Sequence, residues 1–140
     1  MAPTSEYAAR LRTAALYVTR PRVAVLEAVD GHPHADTDTI LVAVQERIPG
    51  VSRQTVYSAL HALTVAGLIR RIQPAGLVAR YESRVGDDHH HLVCRACGSI
   101  TDVDRAVGRS DCLATPQEDF LVERAEVVYW GLCPACSAPE

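Results

Sequence analysis

Two pairs of cysteines carry the clearest chemistry in the sequence. Cys94-Arg-Ala-Cys97-Gly98 and Cys133-Pro-Ala-Cys136 are both Cys-x-x-Cys units. Two thiolates at that spacing fit one tight turn, so both sulfurs can reach a single ion. Gly98 relieves the backbone just past the first knuckle. Two such knuckles supply four sulfurs in a closed tetrahedral shell, which suits structural Zn²⁺. In that arrangement the ion clamps the segment around residue 133 to the segment around residue 94. A pair of redox dithiols uses the same letters. The fifth cysteine, Cys112, has no partner motif and reads as an ordinary free thiol.

A second cluster contains no thiolate. His89-His90-His91 directly precedes Cys94. On a strand, residues two apart share a face, so His89 and His91 point together and His90 points away. Glu82, at the end of an earlier β-type run, can supply a carboxylate. Asp102 lies on the next strand, and His34 precedes a helix. Imidazoles with carboxylates suit Fe²⁺, Mn²⁺ or Zn²⁺. A solvated histidine run is the competing account, and His32 and His61 have no metal signature at all.

The elements that must position these groups follow from caps and periodicity. Glu6–Val18 is compatible with a helix. Thr19-Arg20-Pro21 is a helix start, leading into Val25, Leu26 and Val29 on one face. Asp36 or Thr37 caps a helix through Ile40, Leu41, Val44 and Ile48, which Pro49-Gly50 stops. Ser52 caps a helix whose buried stripe is Val56, Leu60 and Leu63, closed by Ala66-Gly67. Leu68–Ile72 and Leu77–Glu82 read as strands around the turn Gln73-Pro74-Ala75-Gly76. Helices followed by such a hairpin spell a winged helix-turn-helix. Beyond a polar stretch at 84–88, His89–Cys94, Ser99–Val103 and Glu126–Trp130 read as strands, with a helix-compatible segment between the last two. The fold class is therefore α+β. An N-terminal winged-helix domain (1–83) and a hinge (84–88) precede a small α/β domain (89–140).

In a winged helix, the capped helix after Ser52 presents its outward N-terminal half to base edges. Its outward residues are Arg53, Gln54, Thr55, Tyr57, Ser58 and His61. The Thr55 methyl and the Tyr57 ring can meet a thymine. Arg20, Arg22, Arg53, Arg70 and Arg71 are candidate phosphate or minor-groove contacts. Net charge gives little support, at −3 over 140 residues. The halves differ, however. Residues 1–83 hold nine Arg against seven acids, and the remainder five against ten, with no lysine anywhere. No run approaches the roughly 18–20 apolar residues of a membrane span. The segment Met1–Glu6 is not built like a signal peptide. Together these predict a cytoplasmic protein with no membrane partner and no organic cofactor.

In this order the motifs resemble the ferric uptake regulator family. The matching runs are Val18–Arg22, Val51–Tyr57, Ala66–Ile69, Arg80–Glu82, His89–Gly98 and Cys133–Cys136. The resemblance spans roughly residues 7–136 and is strongest to actinobacterial members associated with catalase-peroxidase genes. The resemblance implies a non-enzymatic repressor that binds palindromic operator DNA as a homodimer through its C-terminal domain. It implies structural zinc at Cys94, Cys97, Cys133 and Cys136. It also implies a regulatory Fe²⁺ or Mn²⁺ held by His34, Glu82, His89 and His91, with Asp102 as a fifth ligand. Asp at position 102 resembles the peroxide-sensing members, in which bound iron oxidises a ligating histidine and the repressor leaves DNA. Glutamate there is more typical of iron sensors, so iron sensing is the alternative. A further metal site of some members is matched by Asp88 and His90, but Arg109 and Ala125 stand where its other ligands align. That site is expected to be absent, or rebuilt with Glu126. Ser58 replaces a residue that is often basic.

Two other functions compete. A thiol oxidoreductase or thiol-based sensor fits Trp130-Gly-Leu-Cys133-Pro-Ala-Cys136, but no thioredoxin-like βαβ pattern surrounds it. A zinc deaminase needs a His-x-Glu and a proline before its Cys-x-x-Cys, and neither is present.

Overall fold

A computed structural model describes residues 4–74, 77–85, 89–104, 119–121 and 126–138. The chain forms two compact units, Met1–Val85 and Gly86–Glu140. Among the described residues no helix is long and apolar enough to cross a membrane. Asp88, Arg109, Cys112 and Ala125, and most of the helix-compatible segment expected between Val103 and Glu126, lie outside the described residues.

The first unit contains α1 (Thr4–Thr13), α2 (Arg20–Gly31), β1 (Ala35–Asp36), α3 (Thr37–Arg47), α4 (Arg53–Val65), β2 (Arg70–Ile72) and β3 (Arg80–Glu82). Three of the four helices begin at side-chain caps. Thr19 Oγ1 accepts from the Arg22 amide, Asp36 Oδ1 from Thr39 and Ser52 Oγ from Thr55. Each cap satisfies one of the amides that a helix start leaves without an intrahelical partner. Leu11, Val25, Leu26, Ile40, Val44, Val56, Leu60 and Leu63 interlock as the core, all at 1% exposure or less. Fully burying a leucine of this kind contributes roughly 1.5–3 kcal/mol.

Local closure shortens three of the expected elements. α1 stops at Thr13 rather than running to Val18, because Ala15 turns left-handed at φ 62 and Leu16 N–H reaches back to Leu11 C=O. This six-to-one bond satisfies an orphan carbonyl and draws Leu16 against the core. α4 ends the same way, with Gly67 at φ 78 and Leu68 N–H on Leu63 C=O. Leu68 is thereby spent on helix closure, and β2 starts at Arg70 rather than Leu68. The expected strand Leu77–Glu82 keeps only its last three residues, Arg80–Glu82. The two-stranded hairpin gains a third strand, β1, in the antiparallel order β1-β3-β2.

The second unit contains β4 (His90–Cys94), β5 (Ile100–Val103), β6 (Val128–Gly131) and the one-turn helix α5 (Pro134–Ser137), which the sequence pattern did not suggest. Its sheet order is β5-β4-β6, antiparallel on one side of β4 and parallel on the other.

Candidate metal centres and nucleic-acid interface

The four-cysteine cluster is assembled by the register of β4 and β6. Cys94 ends β4 opposite Gly131, two residues before Cys133, and Arg95 N–H donates to Gly131 C=O. Gly98, at φ 79, closes the first knuckle by donating its amide to Cys94 C=O at 2.9 Å. The left-handed backbone there is the reason a glycine follows Cys97. Pro134 starts α5, and the Cys136 amide donates to Cys133 C=O at 3.1 Å, closing the second knuckle. All four sulfurs lie within 4.8 Å of one another, and those of Cys97 and Cys133 are 3.8 Å apart. A tetrahedral shell with Zn–S bonds of about 2.3 Å requires sulfur–sulfur edges of about 3.8 Å. No disulfide joins these cysteines.

The electrostatics also call for a cation. Backbone N–H groups from Cys97, Cys133 and Ala96 lower the Cys94 thiol to about 6. Ser99 lowers Cys97. Cys136 is pushed up to about 12 by the three sulfurs around it. The cluster is therefore built for thiolates but penalises the last one unless positive charge sits among them. The four donors fit zinc, and they form a closed set with a structural role.

The histidine–carboxylate residues fall into one group in each unit. In the first unit, β1 pairs with β3 so that Ala35 faces Tyr81. His34 precedes β1 and Glu82 follows Tyr81, so the antiparallel register brings them together. His34 Nε2 lies 3.3 Å from Glu82 Oε2. His34 holds a left-handed φ of 63, with its carbonyl accepting from Arg80 Nη1 at 3.3 Å. Arg70 Nη1 approaches the other oxygen of Glu82 at 3.8 Å. Arg70 is thus directed at Glu82, whereas Arg71 is exposed.

In the second unit, His91 faces Asp102 across β4 and β5. Asp102 Oδ1 lies 3.5 Å from His91 Nε2 and 3.6 Å from His89 Nε2. The two rings meet edge to face with centroids 5.0 Å apart. The alternation expected of the triple histidine is present, and all three rings are buried. His90 is occupied structurally, its Nδ1 accepting from the Val127 amide at 3.0 Å. Glu126 also approaches the cluster, with Oε1 3.6 Å from His91 Nδ1. That contact has little signal in the residue pattern, because the β4–β6 register is what brings residue 126 near residue 91. Imidazole nitrogens and carboxylates without sulfur form the donor set of a divalent iron or manganese ion.

The candidate DNA-reading residues lie on α4 and at the start of α2. Val56, Ala59, Leu60 and Leu63 face the core, while Arg53, Gln54, Tyr57, Ser58 and His61 are exposed and Thr55 is half-buried. Tyr57 and His61 line a groove of about 550 Å³ that reaches Arg71 and Tyr81. Thr55 and Ser58 share a second groove with Tyr17, Thr19 and Arg22. Arg20 is exposed, and Arg22 donates to Tyr17 C=O at 2.9 Å. Arg53 Nη1 donates to Asp38 Oδ1 at 2.6 Å, which ties the start of α4 to the first turn of α3.

Comparison with known proteins agrees with this architecture. The model of the family described as "Ferric uptake regulator family" matches residues 13–127. The transcriptional regulator FurA of Mycobacterium tuberculosis is 66% identical over 138 residues, covering 98% of this chain and 94% of that protein. The peroxide operon regulator of Bacillus subtilis is 29% identical over 132 residues, covering 93% of this chain and 90% of its own. The solved structure of the ferric uptake regulator from Pseudomonas aeruginosa with manganese superposes with a TM-score of 0.73. It is 27% identical and covers 91% of this chain and 97% of its own.

Proposed function

Because the chain belongs to the ferric uptake regulator family, whose members are non-enzymatic, metal-dependent, dimeric regulators of transcription that bind DNA, we propose that it is a cytoplasmic repressor of palindromic operators that senses peroxide. Cys94, Cys97, Cys133 and Cys136 would hold structural zinc. His34, Glu82, His89, His91 and Asp102 would hold the regulatory Fe²⁺ or Mn²⁺. The ion would favour the arrangement in which two winged helices match a palindrome, a coupling typically of about 1–3 kcal/mol. α4 would enter the major groove with Gln54, Thr55, Tyr57, Ser58 and His61 toward the bases. Arg20, Arg22 and Arg53 would meet the backbone. Controlled genes of the oxidative-stress class, such as catalase, fit this reading.

The observation that carries the sensor is the thiolate-free cluster in which Asp102 lies within 3.6 Å of both His89 and His91. Iron held there would supply one-electron activation of peroxide and regain that electron as the ring is oxidised, chemistry that manganese would not supply. The chain holds oxidisable imidazoles next to it. One oxygen atom of the peroxide ends on a ring carbon, and the other leaves as water. The altered ring then gives up its place and the repressor releases DNA.

Iron sensing is the second reading, supported by the likeness to a ferric uptake regulator solved with manganese. One experiment separates them. Low peroxide is added to the Fe²⁺ and Mn²⁺ forms, operator binding is measured, and the peptides containing His34 and His89–His91 are weighed. Loss of binding by the Fe²⁺ form alone, with one added oxygen on His34 or His89 and intact cysteines, supports peroxide sensing. No response by either form makes the protein an iron sensor. Joint loss with disulfides and released zinc assigns sensing to the cysteines.

A further inference from the structure

Glu126 has no place in the five-residue metal set, yet the backbone delivers it to one member of that set, His91. His91 N–H donates to Val127 C=O at 3.2 Å, and Val127 N–H donates to Nδ1 of His90 at 3.0 Å. Residue 127 is thus fastened to β4 by both of its backbone polar groups. Glu126, one residue earlier, then sets Oε1 3.6 Å from Nδ1 of His91. The other nitrogen of that ring, Nε2, faces Asp102 at 3.5 Å. The ring itself is 1% exposed, whereas Glu126 reaches solvent.

A neutral imidazole offers a lone pair at one nitrogen only if its proton sits on the other. The partner of the protonated nitrogen therefore decides which atom can bind an ion. His90 shows the opposite arrangement on the other face of the strand. Its Nδ1 accepts an amide proton, so the proton of the neutral ring sits on Nε2. His91 has a carboxylate at each nitrogen, Asp102 on the Nε2 side and Glu126 on the Nδ1 side, so an ion bound at Nε2 leaves the ring proton on Nδ1, where Glu126 is placed to accept it.

We propose that Glu126 is a positioning residue for the regulatory ion. It holds the proton on Nδ1 of His91, orients the ring and makes Nε2 a stronger donor. The assignment rests on the reading of His91 as a ligand. Carboxylates behind a ligating histidine commonly act this way, and removing them typically costs about 10–100-fold in metal affinity.

The test uses the full chain with its zinc in place and the variants Glu126→Leu and Glu126→Gln. Mn²⁺ affinity is read by competition with a fluorescent chelator, and thermal melts are recorded without Mn²⁺. Glu126→Leu is expected to weaken Mn²⁺ binding by about 10–100-fold. Glu126→Gln, whose amide oxygen still accepts the proton but carries no charge, is expected to fall between Leu and wild type. Melting without Mn²⁺ should not change. In protein filled with diamagnetic Zn²⁺ at both sites, ring-nitrogen NMR should show a protected Nδ1 proton on His91, retained in Gln and lost in Leu. Equal Mn²⁺ affinity in all three proteins overturns the assignment, as does an affinity loss with the His91 ring signal unchanged. A wild type that takes up no second ion overturns the regulatory-site reading as well, so the two failures are distinguishable.

Discussion

Replacing Ser52 by alanine removes one oxygen atom from the start of α4. That oxygen accepts the Thr55 amide at 3.1 Å and also lies 2.9 Å from the Thr55 hydroxyl. The cap therefore supports the first turn of the helix and fixes the orientation of one candidate base-reading side chain. Ser52 already has the extended backbone of a cap, at φ −82 and ψ 155, so alanine fits without rearrangement and the loss is confined to the hydrogen bonds. A helix cap of this type contributes ~1 kcal/mol. For a unit of this size, Met1–Val85, that corresponds to a melting shift of roughly 4–8 °C. If the first turn must be formed for α4 to read DNA, operator affinity falls by up to about five-fold, the same energy expressed as an equilibrium. Thermal denaturation followed by circular dichroism gives the first quantity, and fluorescence anisotropy with labelled operator at fixed salt gives the second. Ser52→Asp and Ser52→Thr retain an acceptor and should lie near wild type in the melt. The reasoning fails if Ser52→Ala melts and titrates like wild type, or if Ser52→Asp melts as low as Ser52→Ala.

Cys94→Ser should cost more than Cys136→Ser, because Cys94 is buried and accepts several backbone amides while Cys136 is exposed. Both should release zinc and lose dimer, with aggregation greater for Cys94→Ser, as read by metal analysis and size-exclusion chromatography. In the first unit, the buried Tyr7 hydroxyl donates to Asp30 at 3.0 Å, and burial followed by that carboxylate pushes its pKa up to about 12. A raised folded-state value means the fold prefers the protonated phenol. Its contribution is complete below about pH 10 and disappears as pH rises toward 12. Tyr7→Phe should lower stability at pH 7 by ~1 kcal/mol and flatten the alkaline decline, as measured by urea melts from neutral pH to pH 11. Equal alkaline slopes would refute the assignment.

The helix starts were readable because each depends on a residue and its neighbour three positions on, as Thr19, Asp36 and Ser52 show. The cysteine knuckles were readable for the same reason, since each Cys-x-x-Cys unit is a local device. Helix ends were harder. Ala15 adopts the left-handed turn that normally favours glycine, and the gain that holds it there is Leu16 reaching the core, a tertiary contact. β1 has two residues and exists only because Tyr81 and Arg80 pair with it from far along the chain. Within the candidate metal residues, alternation along β4 gave the shared face of His89 and His91. The approach of Asp102 was suggested by strand order. Glu126 had no local signature, because its approach to His91 is set by a parallel register spanning more than thirty residues.

That parallel register also orders events during synthesis. Leu92 pairs with Tyr129, a separation of 37 positions, and Cys94 waits for Cys133. The winged-helix unit completes all its own pairings by residue 82. On a ribosome it can fold while the second unit is still a lone hairpin with half of its sulfurs, and domains generally do fold in this order as they emerge. A polypeptide terminated between these points would carry a finished winged-helix unit, with no second cysteine pair and no β6 beside its histidine strand. Ribosome stalling or proteolysis in this interval would therefore yield a folded winged-helix unit without the completed second unit. Because β6 and the second knuckle are made last, control by metal is installed only after the reader exists.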